Sequence, residues 1–136
     1  MNRCLFELIL AVKRKCQCNE EQIQDELDLS AAEFHGLMAL DRGQAILGGQ
    51  FAQQMGLSPS RGSRVLNRLV MRGWVEAQLS QNDRRSIFVS LTDQGVHMKE
   101  RITEHMKACE SRICNKLNKA DVQQIQRALE MLTNAL

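Results

Sequence analysis

The sequence lacks the features that would indicate a membrane or secreted protein. No apolar run reaches the roughly 20 residues that a helix needs to cross a bilayer. The apolar segment 5–12 is short, contains Glu7, and precedes the basic cluster 13–15, whereas a signal peptide has its basic residues first. Five cysteines, an odd number, argue against a disulfide framework. We therefore expect a cytoplasmic protein with no membrane partner.

The sequence also lacks the residue patterns of an enzyme. It has no glycine-rich phosphate loop, no paired carboxylates for acid–base catalysis, and no Ser/His/Asp arrangement. The three histidines, His35, His97 and His105, are scattered, and His35 is expected to be partly buried and hydrogen-bonded. We expect no catalytic activity. The 136 residues are enough for one domain.

Positive charge is concentrated in one part of the chain. The whole sequence has a net charge of only +2, but residues 58–90 contain six arginines and two carboxylates, a net charge of +4. The remaining residues are therefore slightly acidic. A basic patch confined to one region is typical of a nucleic-acid-binding surface.

The basic region begins with a strong helix start. Ser58 is a good N-cap, and the chain's only proline, Pro59, stands at the first helical position. At 100° per residue, the helix predicted from there to Gly73 has one face that packs and one that is polar and basic. The packed face is Gly62, Val65, Leu66, Leu69 and Val70, and the polar face is Ser60, Arg61, Ser63, Arg64, Asn67, Arg68 and Arg72.

A strand hairpin is predicted after this helix. Apolar residues alternate along both strands, which predicts one packed face across the pair. The loop between the strands is polar and holds Asp83, Arg84 and Arg85. A basic helix followed by a basic hairpin is the layout of a winged helix-turn-helix that binds duplex DNA. The residues of the predicted packed face are Val75, Ala77, Leu79, Ile87, Val89 and Leu91.

The other segments are predicted to be helical. Residues 3–16 form an amphipathic helix, Ser30 and Glu33 form a capping box, and Gly48-Gly49 breaks the chain before a short helix over 50–55. Two long helices follow, the second with Asn118 as its N-cap. Their apolar stripes exceed what one small domain can cover, so we expect a homodimer. These stripes are Met98, Ile102, Met106, Cys109, Ile113 and Leu117, then Val122, Ile125, Leu129, Leu132 and Leu136.

The segment LSPSRGSRVLNRLVMRGWV (57–75), the Asp83-Arg84-Arg85 loop and the LTDQG run (91–95) together resemble the MarR (multiple antibiotic resistance regulator) family. Val70 departs from the family pattern, which commonly has an acidic residue there. The resemblance implies an α+β, mostly α fold with a single domain over 1–136. Within it, 28–92 would form the winged helix-turn-helix lobe, and 1–27 and 93–136 the dimerisation helices.

The resemblance also implies a function. A homodimer would bind a pseudo-palindromic operator in double-stranded DNA, most often to repress transcription until a signal arrives at the junction between dimer lobe and winged lobe. Ser58 and the helix amino terminus would contact a phosphate, and Arg84 or Arg85, oriented by Asp83, would reach the minor groove. The residues expected in the major groove are Ser60, Arg61, Ser63, Arg64, Asn67 and Arg68.

A second function class is a winged-helix module that binds protein and not DNA. Such a module would have an exposed apolar face on the helix after Ser58. This helix is rich in arginine instead, so the pattern favours DNA as the partner.

The cysteines leave two interpretations open. Cys16 and Cys109 lie on apolar stripes and are expected to be buried, whereas Cys18 and Cys114 lie off them. The four thiols fit no standard metal motif, and the family resemblance requires no cofactor. They would nevertheless form a zinc or iron–sulfur site if they met in a dimerisation lobe, and an adjacent pair would form a redox switch.

Overall fold

A computed structural model of the chain describes residues 2–82 and 86–136. The described residues form six helices and a three-stranded antiparallel sheet, so the mostly helical α+β class predicted from the sequence is confirmed. The elements are α1 (Leu5–Leu27), α2 (Ala31–Met38), β1 (Ile46–Leu47), α3 (Gly48–Gln54), α4 (Pro59–Met71), β2 (Val75–Leu79), β3 (Ile87–Leu91), α5 (Asp93–Lys116) and α6 (Lys119–Ala135).

The first helix is longer than the segment 3–16 predicted from periodicity. It contains no glycine or proline and runs without a break to Leu27. It ends where Asp28 adopts the left-handed conformation, with φ 54° and ψ 51°, which aspartate tolerates better than most residues. The N–H of Leu29 then donates to the Gln24 carbonyl at 2.8 Å. The chain can therefore turn sharply into α2.

The second helix begins with the predicted capping box. The Ser30 hydroxyl accepts from the Glu33 N–H at 3.1 Å, and the Glu33 carboxylate accepts from the Ser30 N–H at 2.9 Å. This reciprocal pair satisfies two N–H groups that a helix start would otherwise leave unbonded. Glu33 is only 6% exposed, so a carboxylate is held inside the protein at this point.

Strand β1 was not predicted, and it changes the start of α3. The Gln50 side chain accepts from the Leu47 N–H at 3.0 Å, so the helix starts directly from the strand at Gly48. The prediction that Gly48-Gly49 would break the chain before a helix over 50–55 was wrong by two residues. Glycine is tolerated there because the first helical turn has few hydrogen bonds to lose.

Helices α2, α3 and α4 pack around the most deeply buried side chains, which include Leu37, Phe51 and Leu69. The contact between α3 and α4 is closest at Gly62. A Cβ atom on Gly62 would lie 2.4 Å from the Ala52 Cβ, far inside van der Waals contact. Only a residue without a side chain lets these two helices approach so closely. The glycine thereby fixes the position of α4 on the helices beneath it.

The sheet has the strand order β1-β3-β2, with Val75 opposite Leu91 and Leu79 opposite Ile87. Val75, Val89 and Leu91 are buried, as the alternating pattern predicted. The prediction that the whole face packs was wrong, because Leu79 is 67% exposed and Ala77 and Ile87 are exposed as well. The strands reach beyond the helices that cover their base. The outer part of the described hairpin is therefore exposed to solvent, whereas its base is buried.

The chain divides into two compact units, one up to Ile102 and one from Thr103 onward, with the boundary inside α5. On the predicted stripe of α5, Ile102 is fully buried, whereas Met106, Ile113 and Leu117 are exposed. None of the residues of α6 falls in the buried class. Across the described residues, no helix is both long and apolar enough to span a membrane.

The LTDQG run joins the hairpin to α5 through the Thr92 side chain and through close contacts with backbone groups. The Thr92 hydroxyl donates to the Gly73 carbonyl at 2.6 Å and accepts from the Gly95 N–H at 3.1 Å. A Cβ atom on Gly95 would lie 1.9 Å from the Trp74 carbonyl oxygen. Thr92 therefore caps α5 and holds the end of α4 at the same time, and Gly95 leaves room for the Trp74 backbone.

We expect Gly95→Ala to destabilise the protein by about 3 kcal/mol, because the new methyl group would meet a backbone atom that cannot rotate away. Gly49→Ala is the matched control, since a Cβ atom there meets nothing within 4 Å. The control should be neutral or stabilising by about 0.5–1 kcal/mol. Urea unfolding at equal protein concentration measures both. Equal midpoints for the two variants would contradict the described junction.

Candidate nucleic-acid interface

The start of α4 is built for contact with an anion. The Ser58 hydroxyl accepts from the Arg61 N–H at 3.3 Å, and Pro59 occupies the first turn. The hydroxyls of Ser58 and Ser60 lie 3.3 Å apart, and both residues are exposed. A helix amino terminus has unpaired N–H groups and a partial positive charge, both of which favour phosphate.

The exposed face of α4 matches the polar face that the sequence predicted. On the other face Gly62, Val65, Leu66 and Leu69 are buried, so α4 is fixed by packing along its length. About 12 Å of helix, at 1.5 Å per residue, separates the first of its exposed polar residues, Ser60, from the last, Arg68. The exposed residues that the structure brings together on this helix are Ser60, Arg61, Ser63, Arg64, Asn67 and Arg68.

Val70 was predicted to pack and does not. It is 41% exposed and lines a groove of about 390 Å³ between α4 and the hairpin. Ala77, Ile87 and Val89 line the same groove from the strands. Periodicity placed Val70 on the apolar side of the helix correctly, but the hairpin leaves a gap there that no side chain of residues 2–82 or 86–136 fills.

The end of α4 turns directly into the hairpin. Gly73 adopts φ 78°, and its N–H donates to the Val70 carbonyl at 3.0 Å. The Trp74 N–H donates to the Leu69 carbonyl, also at 3.0 Å. This pair of bonds is the Schellman arrangement, which needs a left-handed residue and so favours glycine. Strand β2 begins at Val75, so helix and hairpin are connected without a flexible linker.

Arg72 is the exception among the arginines of this region. The sequence grouped it with the polar face, but its guanidinium carbon lies 4.3 Å from the centre of the Trp74 ring. Its Nη2 donates to the Asp28 carbonyl at 3.1 Å, and its Nη1 lies 3.6 Å from a carboxylate oxygen of Glu33. Sequence analysis missed these contacts because Asp28 and Arg72 are 44 residues apart. No local pattern in the sequence predicts them.

The hairpin tip is described only in part. The Ser80 N–H donates to the Ser86 carbonyl at 2.8 Å, and the Asn82 N–H donates to the Ser80 hydroxyl at 3.3 Å. The predicted DNA-binding residues Asp83, Arg84 and Arg85 lie outside the described residues. Their role stays a prediction from the sequence.

The cysteines do not match the predicted burial. Cys16 was expected to be buried and is exposed, because the described residues leave that part of the α1 stripe uncovered. Cys109 is half-buried, with its Sγ 2.9 Å from Arg112 Nη2. Cys18 and Cys114, which lie off the stripes, are exposed. Within the described residues, no group of three or more His, Cys, Asp or Glu is placed to hold a metal ion.

A polar cleft of about 400 Å³ lies between α1 and α2. His35 was predicted to be partly buried but is exposed at its edge, with Nε2 3.5 Å from a Glu20 carboxylate oxygen and its ring edge-on to Phe34. Cys16 and Gln24 also line the cleft. Its lining residues are mostly charged or amide side chains, whose polar groups and apolar stems together suit a small ligand that carries a polar group.

Three comparisons give the relationships of the chain. Residues 27–86 match a family model described as the MarR family. YfiV of Bacillus subtilis strain 168, named as an uncharacterized HTH-type transcriptional regulator, is 30% identical over 113 residues, which are 82% of this chain and 69% of that protein.

Solved structures share the fold over nearly the whole chain. A cysteine-to-serine mutant of MarR from Escherichia coli has a TM-score of 0.85 at 24% identity and covers 98% of both chains. A mutant of MepR from S. aureus, bound to an oligodeoxyribonucleotide, has a TM-score of 0.69 at 17% identity and covers 99% of this chain and 100% of that one. The winged helix-turn-helix fold predicted from the basic helix and hairpin is confirmed.

Proposed function

The chain belongs to the MarR family of DNA-binding transcriptional regulators, and on this basis we propose that it binds an operator as a homodimer through α4. The observation that supports this most directly is the row of exposed arginine, serine and asparagine side chains on one face of a firmly packed helix. We infer that such a regulator acts in the cytoplasm. A protein-binding winged helix is not favoured, because this face offers hydrogen-bond donors and not an apolar surface.

The exposed side chains of α4 have the chemistry for reading base edges. Arginine can bind guanine through two hydrogen bonds, and asparagine can do the same for adenine. Asn67 and Arg68 lie three and four residues after Arg64, so each is a neighbour of Arg64 on the helix surface. In this proposal these three read bases. The family resemblance put Ser60 and Arg61 in the major groove as well, but they lie beside Ser58 at the helix start, so we propose that they contact phosphates there.

The hairpin would add a second contact. Leu79 and Ile87, at the outer ends of the two strands, are exposed, and the loop between them contains Asp83, Arg84 and Arg85. We propose that one of the two arginines enters the minor groove and that Asp83 orients it. A narrow minor groove has a strongly negative potential that attracts arginine.

The homodimer is supported by apolar side chains that each unit leaves exposed. In the first half of α1, Leu5, Phe6 and Val12 are more than half exposed. In α6, Leu129 is 50% and Ile125 is 43% exposed. Burying such surfaces against a second copy would remove them from water. A two-fold dimer presents two α4 helices, which must lie about 34 Å apart to fit both halves of a pseudo-palindrome.

We further propose that the protein represses transcription and is released by a signal. The cleft between α1 and α2 is the most suitable place for a small effector that carries a polar group, because the Glu20 and Glu21 carboxylates and the His35 imidazole line it within one unit. An effector changes DNA affinity only if it binds one arrangement of the two α4 helices better than another. The alternative signal is an oxidant or metal acting at the exposed thiols.

We expect Arg64→Ala and Arg68→Ala each to weaken operator binding by about 1–3 kcal/mol and to relax base preference, because a bidentate base contact is lost. Arg84→Ala and Arg85→Ala should differ, with the larger loss from the arginine that enters the minor groove. An operator is first selected from random duplexes. Fluorescence anisotropy then compares it with a scrambled duplex.

Arg101→Ala is the control for these variants, since it removes the same charge from an exposed position on α5. Its affinity should stay close to that of the parent. If all four test variants also bind like the parent, α4 and the hairpin are not the DNA-binding surface.

We expect Ile125→Lys to abolish the dimer and operator binding together, because a lysine would have to be buried without a partner in the interface. Gln126→Lys adds the same charge at the next, exposed position of α6 and should remain dimeric. Sedimentation equilibrium gives the molecular mass of each. A dimeric Ile125→Lys variant would show that α6 does not form the interface.

We expect the double variant Cys18→Ser, Cys114→Ser to bind DNA normally but to resist release by hydrogen peroxide or zinc, if thiols receive the signal. Cys4→Ser, also an exposed cysteine, is the control and should respond like the parent. Anisotropy of the protein–operator complex during titration with each reagent is the measurement. A double variant that is released like the parent excludes these thiols as the sensor and favours an organic effector.

A further inference from the structure

Arg72 lies at a point where three parts of the fold meet. It directly follows α4, it stacks on Trp74 before the hairpin, and it binds the turn between α1 and α2. The Asp28 carbonyl, which accepts from Nη2, is at the end of α1. The Glu33 carboxylate, which lies 3.6 Å from Nη1, is in the first turn of α2. One guanidinium therefore contacts both sides of the turn.

The contacts of Arg72 are difficult to replace individually. Glu33 is buried, and one of its carboxylate oxygens accepts from the Ser30 N–H. Its other oxygen is the one near Arg72. A buried carboxylate is costly unless its charge is compensated. Asp28 holds its carbonyl in a left-handed turn, so the acceptor has a fixed direction. The planar guanidinium satisfies both groups while its face covers the Trp74 ring, which lysine would not do.

The occupied guanidinium argues against a DNA contact for Arg72. Its face is against an aromatic ring, and two of its nitrogens point at partners within the protein. Arg64 and Arg68 differ, because the described residues show no such contacts for them. The net charge of the region therefore overstates how many arginines of α4 are available to phosphates.

The position of Arg72 also allows it to affect the orientation of α4. A helix of 13 residues moves as a nearly rigid body, about 20 Å long at 1.5 Å per residue. Arg72 holds its carboxyl end, and Gly62, the fourth residue of the helix, holds its amino-terminal part against Ala52. A displacement of the turn at Asp28 would move one of these two points and not the other. The helix would then pivot, and its exposed side chains would change direction.

We propose that Arg72 is a positioning residue that couples the α1–α2 turn to the orientation of α4 and contacts no DNA. The proposal rests on the function proposed above, in which α4 reads the operator. It adds a route by which a signal received at α1 or α2 reaches the recognition helix. That route consists of Glu33, Asp28 and Arg72, and it ends at the only tryptophan in the chain.

The first test measures operator affinity as a function of salt for Arg72→Gln, with Arg68→Gln as the matched control. We expect Arg72→Gln to weaken binding about tenfold while the slope of log K against log salt stays unchanged. Arg68→Gln should lower affinity for the selected operator. Arg61→Gln, at the phosphate-contacting end of α4, should reduce the slope of log K against log salt by about one. A slope reduced by about one in Arg72→Gln would show a phosphate contact and overturn the proposal.

The second test is a double-mutant cycle with Glu33→Gln. If the two residues act through one another, the double variant should bind no more weakly than Arg72→Gln alone. Trp74 emission provides an independent reading of the same coupling. Glu33→Gln should shift the emission through Arg72, and the shift should vanish in the Arg72→Gln background. Additive losses in affinity together with additive emission shifts would show that the two residues act separately.

Loss of folding is distinguished from loss of positioning by Arg72→Lys and by urea unfolding of every variant. Lysine keeps the charge but loses the fork and the stacking, so we expect it to bind DNA more weakly than the parent at an unchanged salt slope. Affinities are compared at temperatures where each variant is folded. If Arg72 variants that are folded bind like the parent while Arg64→Ala and Arg68→Ala do not, the positioning role is wrong and the proposed function stands. If the parent itself selects no operator, the proposed function fails first.

Discussion

The turn at Gly73 and Trp74 is the constraint on which the described winged helix depends. Its left-handed glycine ends α4, and its tryptophan N–H bonds back to Leu69. The same two residues present their carbonyls to the next element, with Gly73 bonded to the Thr92 hydroxyl and Trp74 packed against Gly95. Helix α4, the hairpin and α5 are thus joined by the Thr92 hydroxyl, by the bond from the Thr92 N–H to the Trp74 carbonyl, and by the close approach at Gly95. These contacts all end on backbone groups of Gly73 and Trp74, so a change at this turn would affect the three elements together.

The arginines of the basic region divide into two groups by environment. Arg61, Arg64, Arg68 and Arg72 are all exposed, but among the described contacts only those of Arg72 tie a guanidinium to the Trp74 ring and to the α1–α2 turn. A count of charges in the sequence cannot distinguish these groups. The distinction matters for the interpretation of the net charge of +4, since a positive charge paired with buried Glu33 attracts DNA less than an unpaired one.

Capping residues in the sequence correctly predicted the starts of three helices. The burial of individual side chains depends on packing between elements, which the sequence did not predict. Ser30 with Glu33, Ser58 with Pro59, and Asn118, whose side chain accepts from the Asp121 N–H at 2.8 Å, all cap helices as expected. In each case the capping side chain and the N–H group that it binds lie within four residues of one another in the sequence. The errors at Val70, Cys16 and Leu79 have a shared cause, because periodicity gives the face of an element and not whether another element covers it. Strand β1 has only two residues, too few for any period to show.

Helix α4 has its packed residues on one face and its exposed polar residues on the other, and this has a consequence for engineering. Gly62, Val65, Leu66 and Leu69 hold the helix in place, and none of the six exposed polar side chains contributes to that packing. The exposed positions can therefore be randomised as a set while the scaffold keeps its stability, provided that Gly62 stays fixed among them. A library built on this rule would keep the fold while it varies the side chains that are proposed to read DNA, so the chain is a suitable scaffold for directed changes at this surface.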